Sequence, residues 1–435
     1  MTGPGPARIE ALNVLTLIRG GEPVGEALAQ RTRLGQLSPA DRSLMTQIVY
    51  GVLRNQRYLD AWLAPFLRGE LEPVVRDILR MALFQMGFLD RVPAYAIVDA
   101  AVEQTKSVSP RATGMVNAIL RRAPTKKPQN LPLAVEFSHP DWLVHRWQNR
   151  FGTEKTRRIL MVNNEVPPLS LRVNVLKTSR EAVLEELHQE GVRAELSRYV
   201  PEAIRVSGSF WLEDLPAFQN GLVTVQDESS MLVTWVLDPQ PDERIVDLTA
   251  GLGGKTGHIL ERTQGQAKVT AVDLSRTRLK LLQENLTRLG FSYHVTVMEM
   301  DARHFAANNV HVFDRVLLDA PCSNLGVLRR RSDARWKKQE NDLQEHKNLQ
   351  QELLTAAITL AKPGGVVVYS TCSIEPEETI MVLDQVLATH PAVQHENVRE
   401  YLPDPIFEEF VVDGNLILLP GDLGMDGFFI ARLRT

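Results

Sequence analysis

From residue 8 to about 122 the apolar positions recur three and four apart, the spacing that lines one face of a helix. In SPADRSLMTQIVYGVLRNQ, Ser38 suits an N-cap, Pro39 the first helical position, and Asp41 closes a capping box. Leu44, Ile48, Val49 and Val52 then follow on one stripe. LEPVVRDILRMALFQMG repeats the arrangement with Val74, Val75, Ile78, Leu79, Ala82 and Met86, and Gly87 and Pro93 punctuate it. These stripes predict an all-helical domain over residues 1–125 with a core of its own. APTKKPQNLP, residues 123–132, has the composition of a linker. Over 136–215, DWLVHRWQNRFG, LSLRVNVL, REAVLEELHQEG and AIRVSGS alternate helix, strand, helix and strand, which predicts a small α/β domain.

From about residue 222 the pattern changes. RIVDLTA, KVTAVDL, HVTVMEMDA, DRVLLDA and GGVVVYSTC are short apolar runs with little alternation, separated by helical stretches. Strands of this kind are buried on both faces, as in a parallel sheet covered by helices. DGFFIARLR supplies a last strand. The pattern predicts a doubly wound α/β domain over 222–435, with ligands held beyond the carboxyl ends of its strands.

Composition narrows the class. The chain has 435 residues, enough for two or three cores. It contains no apolar run of membrane-spanning length, and MTGPGPARIE lacks the pattern of a signal peptide. Two cysteines exclude a disulfide framework, and no Cys/His cluster has zinc spacing. A reduced, cytoplasmic, monomeric protein without a metal or a membrane is expected. Net charge is −4, but residues 1–150 hold 19 basic against 13 acidic side chains, so the remainder has 49 − 19 = 30 against 53 − 13 = 40. A basic front on an acidic body permits a polyanionic partner without requiring one.

IVDLTAGLGGKTGHILE reads as strand, glycine-rich turn and helix. Thr249 stands where a nucleotide phosphate loop needs glycine, and the turn lacks the third glycine of a dinucleotide site. Thr249, Ala250, Gly251, Leu252, Gly253, Gly254 and Lys255 still let a ligand approach the backbone. Asp273, Asp301 and Asp319 fall at the ends of successive strands, where acids can meet ribose hydroxyls and an adenine amino group. Together they suit a nucleoside without a polyphosphate, such as S-adenosylmethionine. Both cysteines also follow strands: Cys322 in DAPCSNLG and Cys372 in YSTCSIEPEE.

These last motifs resemble the two cysteine signatures of the RNA cytosine-C5 methyltransferases, and MDGFFIARL resembles their closing strand. MVNAILRR, residues 115–122, is similar to the NusB helical domain. The combination resembles the bacterial Fmu/RsmB family, which methylates a cytosine in 16S ribosomal RNA. The resemblance implies a NusB-like RNA-binding domain, a small α/β domain and a Rossmann-like methyltransferase domain that uses S-adenosylmethionine and no metal. It assigns Cys372 as nucleophile, Cys322 to product release and Asp319 to the edge of the base. The glycine loop here replaces the family's usual Cys-Ala-Ala-Pro-Gly-Gly-Lys, and Asn324 stands where a small residue is commoner. For RNA contact the candidates are Arg121, Arg122, Lys126 and Lys127 at the end of the helical domain, and Arg329 and Arg330 in RRRSDARWKK. A tRNA methyltransferase or a catalytically decayed RNA-binding module are the competing readings. The intact cysteines weigh against decay.

Overall fold

In the computed structural model, which describes residues 3–34, 37–90, 92–208 and 210–435, the apolar stripes of the front of the chain lie on helices. These are Pro6–Arg19, Val24–Leu34, Pro39–Arg54, Gln56–Leu63, Pro73–Phe88, Ala94–Val108 and Thr113–Arg122. The Ser38 hydroxyl accepts from the Asp41 N–H at 3.1 Å and donates to the Asp41 carboxylate at 2.6 Å, so the cap lies where the sequence put it. Ile48, Val49, Val52, Ile78 and Leu79 join one core drawn from all seven helices.

The chain folds as two compact units, residues 1–166 with 328–338, and residues 167–327 with 339–435. The first takes in the helix Asp141–Asn164, which the sequence grouped with the following strands. It also takes in a stretch of the basic run. Arg335 is wholly buried there and donates to the carbonyls of Arg54, Ser138 and Asn163 and to Asn164 Oδ1. Burial, and then the charge of Arg54, lowers its pKa to about 9. The Trp336 indole donates to the Leu53 carbonyl at 2.9 Å, and the Arg54 guanidinium to the Arg329 carbonyl at 2.7 Å.

The second unit holds two sheets. Strands β1 (Leu169–Val173), β2 (Arg193–Leu196), β3 (Ala203–Ser207) and β4 (Val223–Val225) form an antiparallel sheet in the order β2-β3-β1-β4, with the helix Arg180–Gln189 inserted between β1 and β2. The larger sheet contains β5 (Arg244–Asp247), β6 (Lys268–Asp273), β7 (Val295–Glu299), β8 (Phe313–Asp319), β9 (Ala361–Thr371), β10 (Gln394–Glu396), β11 (Val411–Val412), β12 (Asn415–Leu418) and β13 (Phe428–Arg434). Its order is β11-β12-β13-β9-β8-β5-β6-β7, with β10 paired to β13. The five strands β9-β8-β5-β6-β7 run parallel, while β13, β12 and β11 add antiparallel. Apolar clusters cover both faces, as a doubly wound sheet requires. The strand β7 differs from the expectation of double burial: as the edge strand it leaves Thr296 and Glu299 exposed.

Strand order reverses between β5 and β8. A crevice outside the carboxyl ends opens at such a switch point. One buried ion pair braces the approach to it. Arg172, in β1, donates to both oxygens of Glu261 at 2.7 and 2.9 Å and to the Gly254 carbonyl at 2.7 Å.

Candidate active site

The turn after β5 reaches the crevice first. Gly251 (φ 55°) and Gly253 (φ 80°) adopt left-handed conformations that favour glycine, and the helix Gly254–Arg262 begins directly after them. A Cβ placed on Gly254 would meet nothing within 4 Å, so this part of the turn borders open space. Asp273 fastens the turn to the end of β6: one oxygen accepts from the Gly251 N–H at 3.0 Å, the other from the Ser275 N–H at 2.8 Å. Leu252 and Leu274 flank it, 54% and 68% exposed, which supplies apolar surface beside the polar cradle. Asp247, at the end of β5, is buried. Its Oδ2 accepts from Thr256 at 2.7 Å, and its Oδ1 has no partner among the described residues. Burial, more than any neighbour, raises its pKa to about 6. Asp301 lies past β7 rather than at its end. It caps the helix Ala302–Ala307 and is paired with Arg303, whose hydrogen bonds lower its pKa to about 2.

Asp319 occupies the switch point itself. Lys255 donates to one carboxylate oxygen at 2.6 Å and Ser370 to the other at 2.9 Å, while the Thr249 hydroxyl holds the Asp319 carbonyl at 2.9 Å. The Lys255 ammonium also lies 5.4 Å from the centre of the Phe428 ring.

The two cysteines meet here. Cys322 and Cys372 are free thiols, and their sulfurs lie 2.8 Å apart. The loop bearing Cys322 is pressed onto the end of β9: the Gly326 N–H donates to the Cys372 carbonyl at 3.0 Å, and a Cβ on Gly326 would come within 2.4 Å of the Gly427 oxygen. Asn324 has φ 64°, a conformation that asparagine tolerates better than most side chains. Its amide donates to the Cys322 carbonyl at 3.1 Å and accepts from the Cys372 thiol at 3.3 Å. The hydrogen bond with Cys372 and then burial hold the Cys322 thiol well above its ordinary pKa.

A family profile described as 16S rRNA methyltransferase RsmB/F matches residues 234–434, the NusB family matches 6–124, and an RsmF/B-like ferredoxin-like domain matches 139–211. The chain is 35% identical over 417 residues to a probable ribosomal RNA small subunit methyltransferase B of Bacillus subtilis, covering 92% of each chain. The chain belongs to the RsmB/F family. A crystal structure of PH0851 superposes with TM-score 0.86 at 29% identity over 99% of both chains. The structure of NSun6 from Pyrococcus horikoshii with SFG superposes with TM-score 0.60 at 25% identity, covering 68% of this chain and 98% of that one.

In this RsmB/F protein Lys255 pairs with Asp319, Cys322 with Cys372, Asp273 joins the glycine turn, and Asp301 accepts from Arg303. Arg121, Arg122, Lys126 and Lys127 are exposed at the end of the helix Thr113–Arg122 and just beyond it. Arg329 departs from the expectation of a phosphate-facing side chain: it is 2% exposed within the helical unit, and Arg330 is half-buried. Four residues had no role in the sequence reading. Arg172 lies in the smaller sheet, and its link to the glycine turn is long-range. Asp247 was visible only as a strand-end acid, Gly326 as a single glycine, and Glu378 as one of several acids after Cys372. Among the described residues no group of three His, Cys, Asp or Glu side chains is placed to hold a metal ion, and no helix is long and apolar enough to cross a membrane.

Proposed function

We propose that the protein transfers a methyl group from S-adenosylmethionine to C5 of a cytosine in 16S ribosomal RNA, with Cys372 bonded to C6 during the reaction. The observation that carries this reading is the contact of two free thiols at the ends of adjacent parallel strands, beside Asp319 and the glycine turn. The names of the relatives support the RNA, and the RsmB/F membership supports the methyl donor.

The cradle fits a nucleoside cofactor. Gly254 borders open space that a side chain would fill, Leu252 and Leu274 offer apolar surface, and Asp273 presents a carboxylate beside the turn. S-adenosylmethionine bound there supplies an electrophilic methyl group. C5 of cytosine is a weak nucleophile, and the protein's task is to change that. The Cys372 thiol gives up its proton to solvent as its sulfur adds to C6, and the electrons pass through C5 and C4 to N3, which takes up a proton and leaves C5 enamine-like. Asp319, steadied by Lys255 and Ser370, accepts a hydrogen bond from the N3 edge that gains a proton as C6 is attacked. After C5 is methylated its proton must leave and the sulfur–C6 bond must break. Cys322, held as a thiol against the Cys372 sulfur, gives a proton to that departing sulfur. The Cys322 sulfur, left charged, takes the proton lost from C5, so both cysteines end as thiols, and the proton on N3 returns to solvent as the methylated base is released. The target base must be unstacked or already single-stranded for C6 to be reached. Arg121, Arg122, Lys126 and Lys127 are proposed to hold RNA phosphates.

Bisulfite sequencing of 16S ribosomal RNA from a strain lacking the gene tests the reading. One cytosine that is protected in the parent should become convertible, and the purified protein with S-adenosylmethionine should restore its protection. An unchanged 16S pattern, with a lost methylcytosine in transfer RNA instead, would overturn it.

A further inference from the structure

Both cysteine loops converge on one side chain that takes no part in the chemistry above. Glu378 is fully buried. One oxygen accepts from the Ser323 N–H at 2.7 Å, and the other accepts from the hydroxyls of Ser373, at 2.5 Å, and Ser323. Gln350 lies 3.3 Å from the first oxygen and donates to the Pro321 carbonyl at 2.9 Å. The Tyr369 hydroxyl donates to the Glu378 carbonyl at 2.7 Å. Thus the residues on both sides of Cys322, and the residue after Cys372, hang on one carboxylate and its amide neighbour. Donors on both oxygens offset the cost of burying this carboxylate. An apolar side chain in its place would strand the Ser323 N–H and two buried hydroxyls, so this one carboxylate is what joins the two loops.

We propose that Glu378 is a positioning residue for the cysteine pair, tying the Cys322 loop to the Cys372 loop so that the two sulfurs face each other. Its charge has a second effect. The titratable groups bearing on Cys322 are Cys372, Glu378 and Tyr369. The hydrogen bond with Cys372 comes first, then burial and the charge of Cys372, and the negative charge of Glu378 adds to these in keeping Cys322 a thiol. Cys322 therefore retains the proton that release requires. The inference rests on the two-cysteine reading of the site, but the thiols can be interrogated without RNA.

The full-length protein is treated with iodoacetamide across a pH series, and labelling at Cys322 and Cys372 is measured separately by peptide mass spectrometry. In Glu378→Gln the size is kept and the charge removed. The labelling profile of Cys322 should move to lower pH, so that labelling at fixed pH rises, because one nearby like charge is lost. In steady-state methylation the same variant should lose kcat while KM for S-adenosylmethionine is unchanged. The double variant Ser323→Ala with Ser373→Ala, which removes two donors and keeps the charge, should lower kcat without that shift in the Cys322 profile. A Cys322 profile in Glu378→Gln that coincides with wild type overturns the inference. So does a double variant with wild-type kcat, which also decides the matter if Glu378→Gln fails to fold. A shifted profile in a protein that methylates no cytosine would sink the proposed reaction and leave the role of Glu378 standing.

Discussion

Replacing Asp247 with asparagine should stabilise the catalytic unit near neutral pH, by an amount that shrinks in acid. Asp247 is buried at the end of β5, with Thr256 on one oxygen and no partner among the described residues on the other. Burial raises its pKa from 3.8 to about 6. Across the window between those values the folded protein binds a proton that the unfolded chain has released. Stability therefore falls as pH rises through that window and levels off above it. A gap of about two units corresponds to about 3 kcal/mol once the carboxylate is fully charged. Asparagine keeps an acceptor for Thr256 and does not titrate. The advantage of the variant should grow by about 2 kcal/mol between about pH 4.5 and about pH 7.5. Two compact units need not unfold together, so the assay is hydrogen exchange at the β5 amides, corrected for the intrinsic pH dependence of exchange, without added cofactor. An advantage equal at both pH values, or a variant less protected at the higher one, would refute the reasoning.

Three further outcomes follow from named contacts. Glu261→Ala strands the buried guanidinium of Arg172 and should cost roughly 3–5 kcal/mol in urea unfolding, with an effect within experimental error refuting the pairing. Asp273→Ala frees the Gly251 and Ser275 amides and should weaken S-adenosylmethionine binding by roughly 1–3 kcal/mol in calorimetry; wild-type affinity would show that the acid does not serve the cradle. Neutralising Arg121, Arg122, Lys126 and Lys127 together should weaken RNA binding and flatten its dependence on salt, since fewer counterions are released per complex. An unchanged slope would leave the cluster as ordinary solvated charge.

The features that could be read from the chain were those with a local cause. Ser38 and Asp41 cap a helix through atoms three residues apart, and a one-sided stripe such as Ile48, Val49 and Val52 must find a core. The strand-end positions of Asp273, Asp319, Cys322 and Cys372 followed from apolar runs that stop at a polar residue. What escaped was set by partners far away in sequence. RRRSDARWKK looks like a phosphate grip because its charge is dense, yet Arg335 is spent on carbonyls more than 170 residues distant. The pairing of Asp301 with Arg303, two residues on, was likewise not visible in the strand pattern. Nothing in SIEPEE distinguishes Glu378 from its neighbours. Its role depends on Ser323, which is 55 residues away.

The central claim is that the two touching cysteines divide the work, with Cys372 bonding to the base and Cys322 releasing it. The most direct measurement is a denaturing gel of each alanine variant mixed with 16S ribosomal RNA and S-adenosylmethionine. Cys322→Ala should still add to C6 and methylate C5 but stall at elimination, so a covalent protein–RNA band should accumulate, dependent on the cofactor. Cys372→Ala should show neither the band nor methyl transfer. A band with Cys372→Ala, and none with Cys322→Ala, would contradict the assignment.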